Sequence, residues 1–160
     1  MRNNNNKGNT RFRLVISCLL IFSLQGCGNG DEPGDSLLAE GEGISVEGAW
    51  TRPGGEGRMS AGYFLITNFE ETADTLTGVS SEISRLTEIH ESYELEEGMM
   101  GMREVSSVPL QPRSTVRFEP GGLHIMFIQL RQEIRDGDQV EIELQFAGRE
   151  PLTVTLPVRR

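Results

Sequence analysis

Only two histidines, His90 and His124, occur in the 160 residues, and apart from Met1 there are five methionines, Met59, Met99, Met100, Met102 and Met126. Methionine ordinarily fills irregular gaps in cores, but four of these five cluster near the only imidazoles. In Gly121-Gly122-Leu123-His124-Ile125-Met126, His124 and Met126 stand two apart on an expected strand, so their side chains leave the same face. Leu123, Ile125 and Phe127 then face the core. The stretch from His90 to Met102 reads as a hairpin whose two arms carry those residues, which gives a second His–Met pair. Met100 shares a strand face with Met102 and is an alternative ligand, whereas Met99 reads as core or hairpin surface. Imidazole and thioether form a soft, neutral donor set suited to Cu(I) far better than to Zn, Ca or Mg. Without a thiolate, such a site is made for holding a metal and handing it over.

The elements that must position these residues are strands. From Ile44 to Arg160 short alternating apolar segments are punctuated by turn residues, with no run at helical spacing. The expected strands are 44–47, 60–67, 86–91, 102–105, 115–118, 124–130, 139–146 and 152–158, an all-β domain built as a sandwich or barrel. Val140, Ile142, Leu144 and Phe146 alternate with Glu141, Glu143 and Gln145, and Leu152, Val154, Leu156 and Val158 repeat the pattern. These two half-buried strands, joined around Gly148, form the expected closing hairpin.

Before Ile44 the chain has a different character. Arg11 and Arg13 precede an eleven-residue apolar run, Leu14 to Leu24, which is export-signal length and too short for a membrane-spanning helix of roughly 20 apolar residues. Leu24-Gln25-Gly26-Cys27 resembles the lipobox of bacterial lipoproteins, which makes 1–26 a signal peptide and Cys27 the lipidated mature N-terminus. Residues 27–43 are rich in glycine and acid and read as a flexible tether. The sixteen residues 28–43 after the cysteine reach on the order of 20 Å, enough to hold a domain at 44–160 just off a membrane surface.

Composition excludes several functions. All 24 acids follow Arg13 and no lysine follows Lys7, so the mature chain lacks the basic footprint of a nucleic-acid binder. Cys18 and Cys27 are the only cysteines, so the domain has no thiol catalysis, thiolate zinc site, iron–sulfur cluster or blue-copper centre. No Ser-His-Asp signature or phosphate-cradling glycine loop argues for an enzyme. Glu88, Glu91, Glu94, Glu96 and Glu97 read as a solvated face or an electrostatic collar for cations or a basic partner.

These features resemble the PCuAC-type periplasmic copper chaperones, whose motif is a His, ten residues, a Met, twenty-one residues, then His-x-Met. Met102 to His124 has that twenty-one-residue spacing and His124-Ile125-Met126 supplies the ending, but His90 to Met102 encloses eleven residues. Counting ten lands on Gly101, which cannot ligate. With Met102 as the ligand, the extra residue falls in the turn between Ser92 and Gly98. Ser92 stands where many relatives carry another methionine. Ala49-Trp50-Thr51-Arg52-Pro53, Ala61-Gly62-Tyr63-Phe64 with Asn68, and Met102-Arg103 extend the likeness over nearly all of 44–160. Trp50 reads as a core anchor, while Arg52 flanks or shapes the site.

The resemblance implies a cupredoxin-like Greek-key β-barrel or sandwich with one Cu(I) at a solvent-facing site formed by His90, Met102, His124 and Met126. It implies delivery to a copper-accepting respiratory oxidase subunit or its assembly factor, outside the cytoplasm, by a lipid-anchored monomer. The competing reading is a metal-buffering lipoprotein that binds Cu(II) or Zn through histidine and carboxylate without delivery.

Overall fold

The computed structural model describes residues 37–41, 43–95 and 98–160, so the signal peptide, Cys27 and most of the tether lie outside the described residues. Eleven strands follow in order: β1 (Leu37–Gly41), β2 (Ile44–Thr51), β3 (Ser60–Asn68), β4 (Asp74–Ser80), β5 (Ser84–Glu94), β6 (Met100–Glu104), β7 (Val108–Leu110), β8 (Ser114–Phe118), β9 (Leu123–Leu130), β10 (Gln139–Phe146) and β11 (Leu152–Pro157). They form a seven-stranded sheet, β1-β2-β3-β8-β9-β5-β6, and a four-stranded sheet, β11-β10-β4-β7. Two open sheets make this an all-β sandwich, not a closed barrel.

The sandwich follows from period-two patterning. Val46, Phe64, Ile66, Ile89, Ile125 and Phe127 from the larger sheet join Leu76, Ile142, Leu144, Val154 and Leu156 from the smaller one in a single buried core. Phe64 and Phe118 stack with ring centroids 4.4 Å apart. The expected β10–β11 hairpin pairs Val140 with Leu156, Ile142 with Val154 and Leu144 with Leu152. In β3, Gly62 points inward where the sheets approach closely: a Cβ there would stand 2.8 Å from Leu156 Cδ2. Its neighbours Ala61 and Tyr63 therefore point outward, toward the face that carries the site.

Three strands depart from the sequence expectation. β1 lies within the segment read as tether, where it pairs antiparallel with β2 and covers backbone groups that β2 would otherwise leave open. β4 escaped detection because a bulge at Thr77, opposite the Gln145–Phe146 step of β10, breaks its own period and places Asp74, Leu76 and Val79 inward. β7 is three residues around Pro109, and proline is tolerated there because the strand is a sheet edge.

A buried ion pair staples the start of β4 to the β10–β11 turn. Arg149 Nε donates to Asp74 Oδ2 at 2.6 Å, Thr75 N and Gly148 N donate to Asp74 Oδ1 at 2.6 and 3.0 Å, and Arg149 Nη2 reaches Glu70 Oε2 at 3.2 Å. Burial opposes ionisation of Asp74, but the Arg149 hydrogen bond, the two backbone donors and the Arg149 charge together hold its carboxyl below the ordinary range. Because the folded pKa lies below the unfolded one, this stabilisation is present above the ordinary Asp value and is lost as pH falls through the lowered folded value. Asp74→Asn should cost about 3 kcal/mol in urea unfolding at neutral pH and remove part of the acid-induced loss of stability seen in the unsubstituted protein.

Candidate metal centre

The histidines meet because β5 and β9 are adjacent and antiparallel, with His90 directly opposite His124 and Glu88 opposite Met126. The ring centroids are 5.9 Å apart. On the other flank of β9, Ala61 of β3 pairs with Met126, and this small side chain leaves room beside the thioether. Ile125 and Phe127 are buried in the core as expected, so His124 and Met126 share the opposite face.

That face is not open to solvent at His124 and Met126, which are only 4% and 9% exposed. Together with Arg52, Pro53, Tyr63, Pro120, Gly121 and Met102, they line a cleft of ≈ 360 Å³. The solvent-facing site implied by the resemblance is thus a recess, covered because the 52–59 and 120–121 segments fold over the sheet.

Each imidazole is oriented by a protein acceptor. His124 Nδ1 lies 3.0 Å from the Gly122 carbonyl, which can only accept, so Nδ1 carries the proton and Nε2 keeps its lone pair. His90 Nε2 lies 2.7 Å from Glu88 Oε2, which fixes the proton on Nε2 in the same way. His90 Nδ1 is a buried nitrogen with no hydrogen-bond partner. An orphaned buried acceptor is costly, and a soft cation bound to it would offset that cost. Two differently oriented imidazoles therefore present one free nitrogen each.

The hairpin supplies the thioethers. Met102 pairs with Ser92 and lines the cleft, while Met100 pairs with Glu94 one further step along β6 and does not. Gly101 pairs with Tyr93 on the opposite face, and a Cβ there would meet Tyr93 Cζ at 2.8 Å. The ladder from His90–Glu104 to Glu94–Met100 runs without a bulge, and beyond it Leu95 N donates to the Met99 carbonyl at 2.6 Å. Met99 is exposed hairpin surface.

Aromatic and cationic groups wall the cleft. The Tyr63 ring lies 6.5 Å from His124 and 4.7 Å from Trp50, with Arg52 over Tyr63 and Arg159 over Trp50. Trp50 is therefore a half-buried residue that packs behind Tyr63 on the site's face, not the core anchor expected from its size. Burial pushes the Tyr63 phenol above its ordinary range, with the Arg52 charge opposing. Among the described residues no three His, Cys, Asp or Glu side chains converge. Two of the acidic residues near the histidines are paired: Glu88 with His90, and Glu91 with Arg103 at 2.6 Å. Sequence reasoning placed Glu88 on a solvated face and passed over Met59 and Ala61. The Glu88-x-His90 spacing, two apart on one strand, was the available signal for the first.

A model of the LpqE-like family, described as "Putative lipoprotein LpqE-like", matches residues 44–158. The Leifsonia xyli subsp. xyli protein named "Putative lipoprotein Lxx21020" is 25% identical over 153 residues, covering 92% of this chain and 89% of the relative. Among solved structures, the copper-bound PCuAC domain from PmoF2 aligns with a TM-score of 0.62 and 24% identity, over 76% of this chain and 97% of that one. The solution structure of CuI-DR1885 from Deinococcus radiodurans aligns with a TM-score of 0.55 and 22% identity, over 70% and 76%. The sandwich is thus the fold of PCuAC domains, as the sequence resemblance implied.

The orienting bonds make a direct prediction. In long-range 1H–15N spectra of the metal-free protein above neutral pH, His90 should show the Nε2–H tautomer and His124 the Nδ1–H tautomer. The same tautomer at both residues would contradict the geometry.

Proposed function

The chain belongs to the LpqE-like lipoprotein family, and on that premise we propose that it is a lipid-anchored, extracytoplasmic carrier of Cu(I). His90, His124, Met126 and Met102 are the ligands. The observation that carries this reading is the pair of register-matched imidazoles, each with one ring nitrogen hydrogen-bonded, of which His124 lines a cleft together with Met102 and Met126. Their softness favours Cu(I), and the lack of three convergent His or carboxylate donors among the described residues argues against the Cu(II) or Zn buffer.

The arrangement also suits transfer. All four donors are neutral, so the metal can exchange ligands one at a time without moving a proton. Glu88 places a carboxylate on the far nitrogen of His90, which raises the donor strength of Nδ1 and offsets part of the metal's charge. Met102 is 57% exposed, the ligand most open to an incoming donor, whereas His124 and Met126 stay buried and hold the ion until the last step. The copper-accepting oxidase subunit or its assembly factor is the proposed recipient. Lipidation at Cys27 is the proposed anchor, and a monomer leaves the cleft free for docking.

The full chain, in detergent and carrying Cys18→Ser and Cys27→Ser so that no thiol competes, should bind one Cu(I) in competition with bicinchoninate. Met102→Leu and Glu88→Gln should each weaken binding by about tenfold or more, while Met100→Leu leaves it within about twofold. Tighter retention of Zn or Cu(II) than of Cu(I), or equal losses at Met100 and Met102, would overturn the assignment.

A further inference from the structure

Of the three methionines after Met1 that this copper reading leaves unused, Met59, Met99 and Met100, only Met59 lines the same cleft as Met102, His124 and Met126. It immediately precedes β3, and alternation puts it on the face of Ala61, whose register partner is Met126. Met59 is thus a diagonal neighbour of Met126, a separation that long side chains span. Nevertheless it is 62% exposed.

An exposed methionine on a loose loop would mean little, but this loop is fastened on several sides. Gly54 and Ile134 exchange two backbone hydrogen bonds, at 3.0 and 2.9 Å. Gly57 N donates to the Leu130 carbonyl at 2.8 Å, Leu130 N donates to the Arg58 carbonyl at 2.9 Å, and Ser60 Oγ donates to the Arg52 carbonyl at 2.6 Å. Beside Leu130, Gln129 has φ +56°, a left-handed conformation that non-glycine residues seldom adopt. Such strain persists where the surroundings over-determine the backbone, and it concentrates at sites with a function. The fold therefore fixes the backbone on both sides of Met59 while leaving its thioether at the rim of a cleft already lined by soft donors.

Resting on the Cu(I) reading above, we propose that Met59 is a further Cu(I) ligand, the rim position through which the ion enters and leaves. A copper–sulfur bond to Met59 forms as one resident copper–nitrogen bond breaks, with Met126 keeping hold. The ion remains Cu(I), and neither an electron nor a proton is transferred. The exchange partner outside would be a protein that presents soft donors at the cleft mouth.

The test uses the full chain in detergent with Cys18→Ser and Cys27→Ser, labelled at the methionine methyl carbons and loaded with one equivalent of Cu(I). The Met59 methyl resonance should shift or exchange-broaden along with Met102 and Met126, while Met99 and Met100 stay in place. Met59→Leu should slow release of Cu(I) to excess bicinchoninate by about fivefold. Because the side chain is exposed, a purely structural role would not change the release rate. If Met102 and Met126 respond but Met59 does not, or if the release rate is unchanged, the rim position is wrong and the four-ligand carrier stands. Equal movement of all five methyls would mean unspecific thioether binding and would also overturn it. If the unsubstituted chain takes up no Cu(I), the carrier reading itself fails.

Discussion

The backbone ladder between β5 and β9 is the constraint on which the rest of the molecule turns. It places His90 directly opposite His124, and a slip of one residue by either strand would send its imidazole to the other face of the sheet. The core enforces the register, because Ile89, Ile125 and Phe127 are all nearly inaccessible and the same slip would push them outward. Burying those three residues therefore also sets the geometry of the cleft. β3 completes the arrangement on the far side of β9, where Gly62 admits Leu156 between the sheets and Ala61 leaves space beside Met126.

Within that frame the imidazoles are set by local hydrogen bonds. The Gly122 carbonyl and the Glu88 carboxylate each accept from one ring nitrogen and so fix where the lone pair of the other lies. The stability of the domain and the chemistry of the cleft rest on different groups. Asp74 and Arg149 tie the β10–β11 turn to β4, a turn that contributes no side chain to the cleft. Changes at the cleft can thus be read as effects on ligand geometry with little contribution from unfolding.

Much of this was legible in the chain. Clean alternation in Val140–Phe146 and Leu152–Val158 gave the closing hairpin, and the two-residue step from His124 to Met126 placed both on one face, because side-chain direction in a strand depends on parity alone. Parity fails where the backbone departs from a regular ladder. The bulge in β4 and the proline in β7 hid two strands. What covers a face is also beyond parity: the recess over His124 and Met126 comes from segments distant in sequence. Trp50 was misjudged for the same reason, since its size suggested the core while its partner Tyr63 lies on the cleft side. The role of Glu88 depends on a single 2.7 Å contact, and only its place two residues before His90 set it apart from the four other glutamates of the hairpin.

The central claim is that two imidazole nitrogens and two thioether sulfurs converge on one soft cation. Copper K-edge X-ray absorption of the Cu(I)-loaded full chain, with Cys18→Ser and Cys27→Ser, tests it most directly. The account predicts a first shell of about two nitrogen and two sulfur scatterers, with one sulfur lost in Met102→Leu. A shell of nitrogen and oxygen alone would contradict it, because the methionines would then be bystanders.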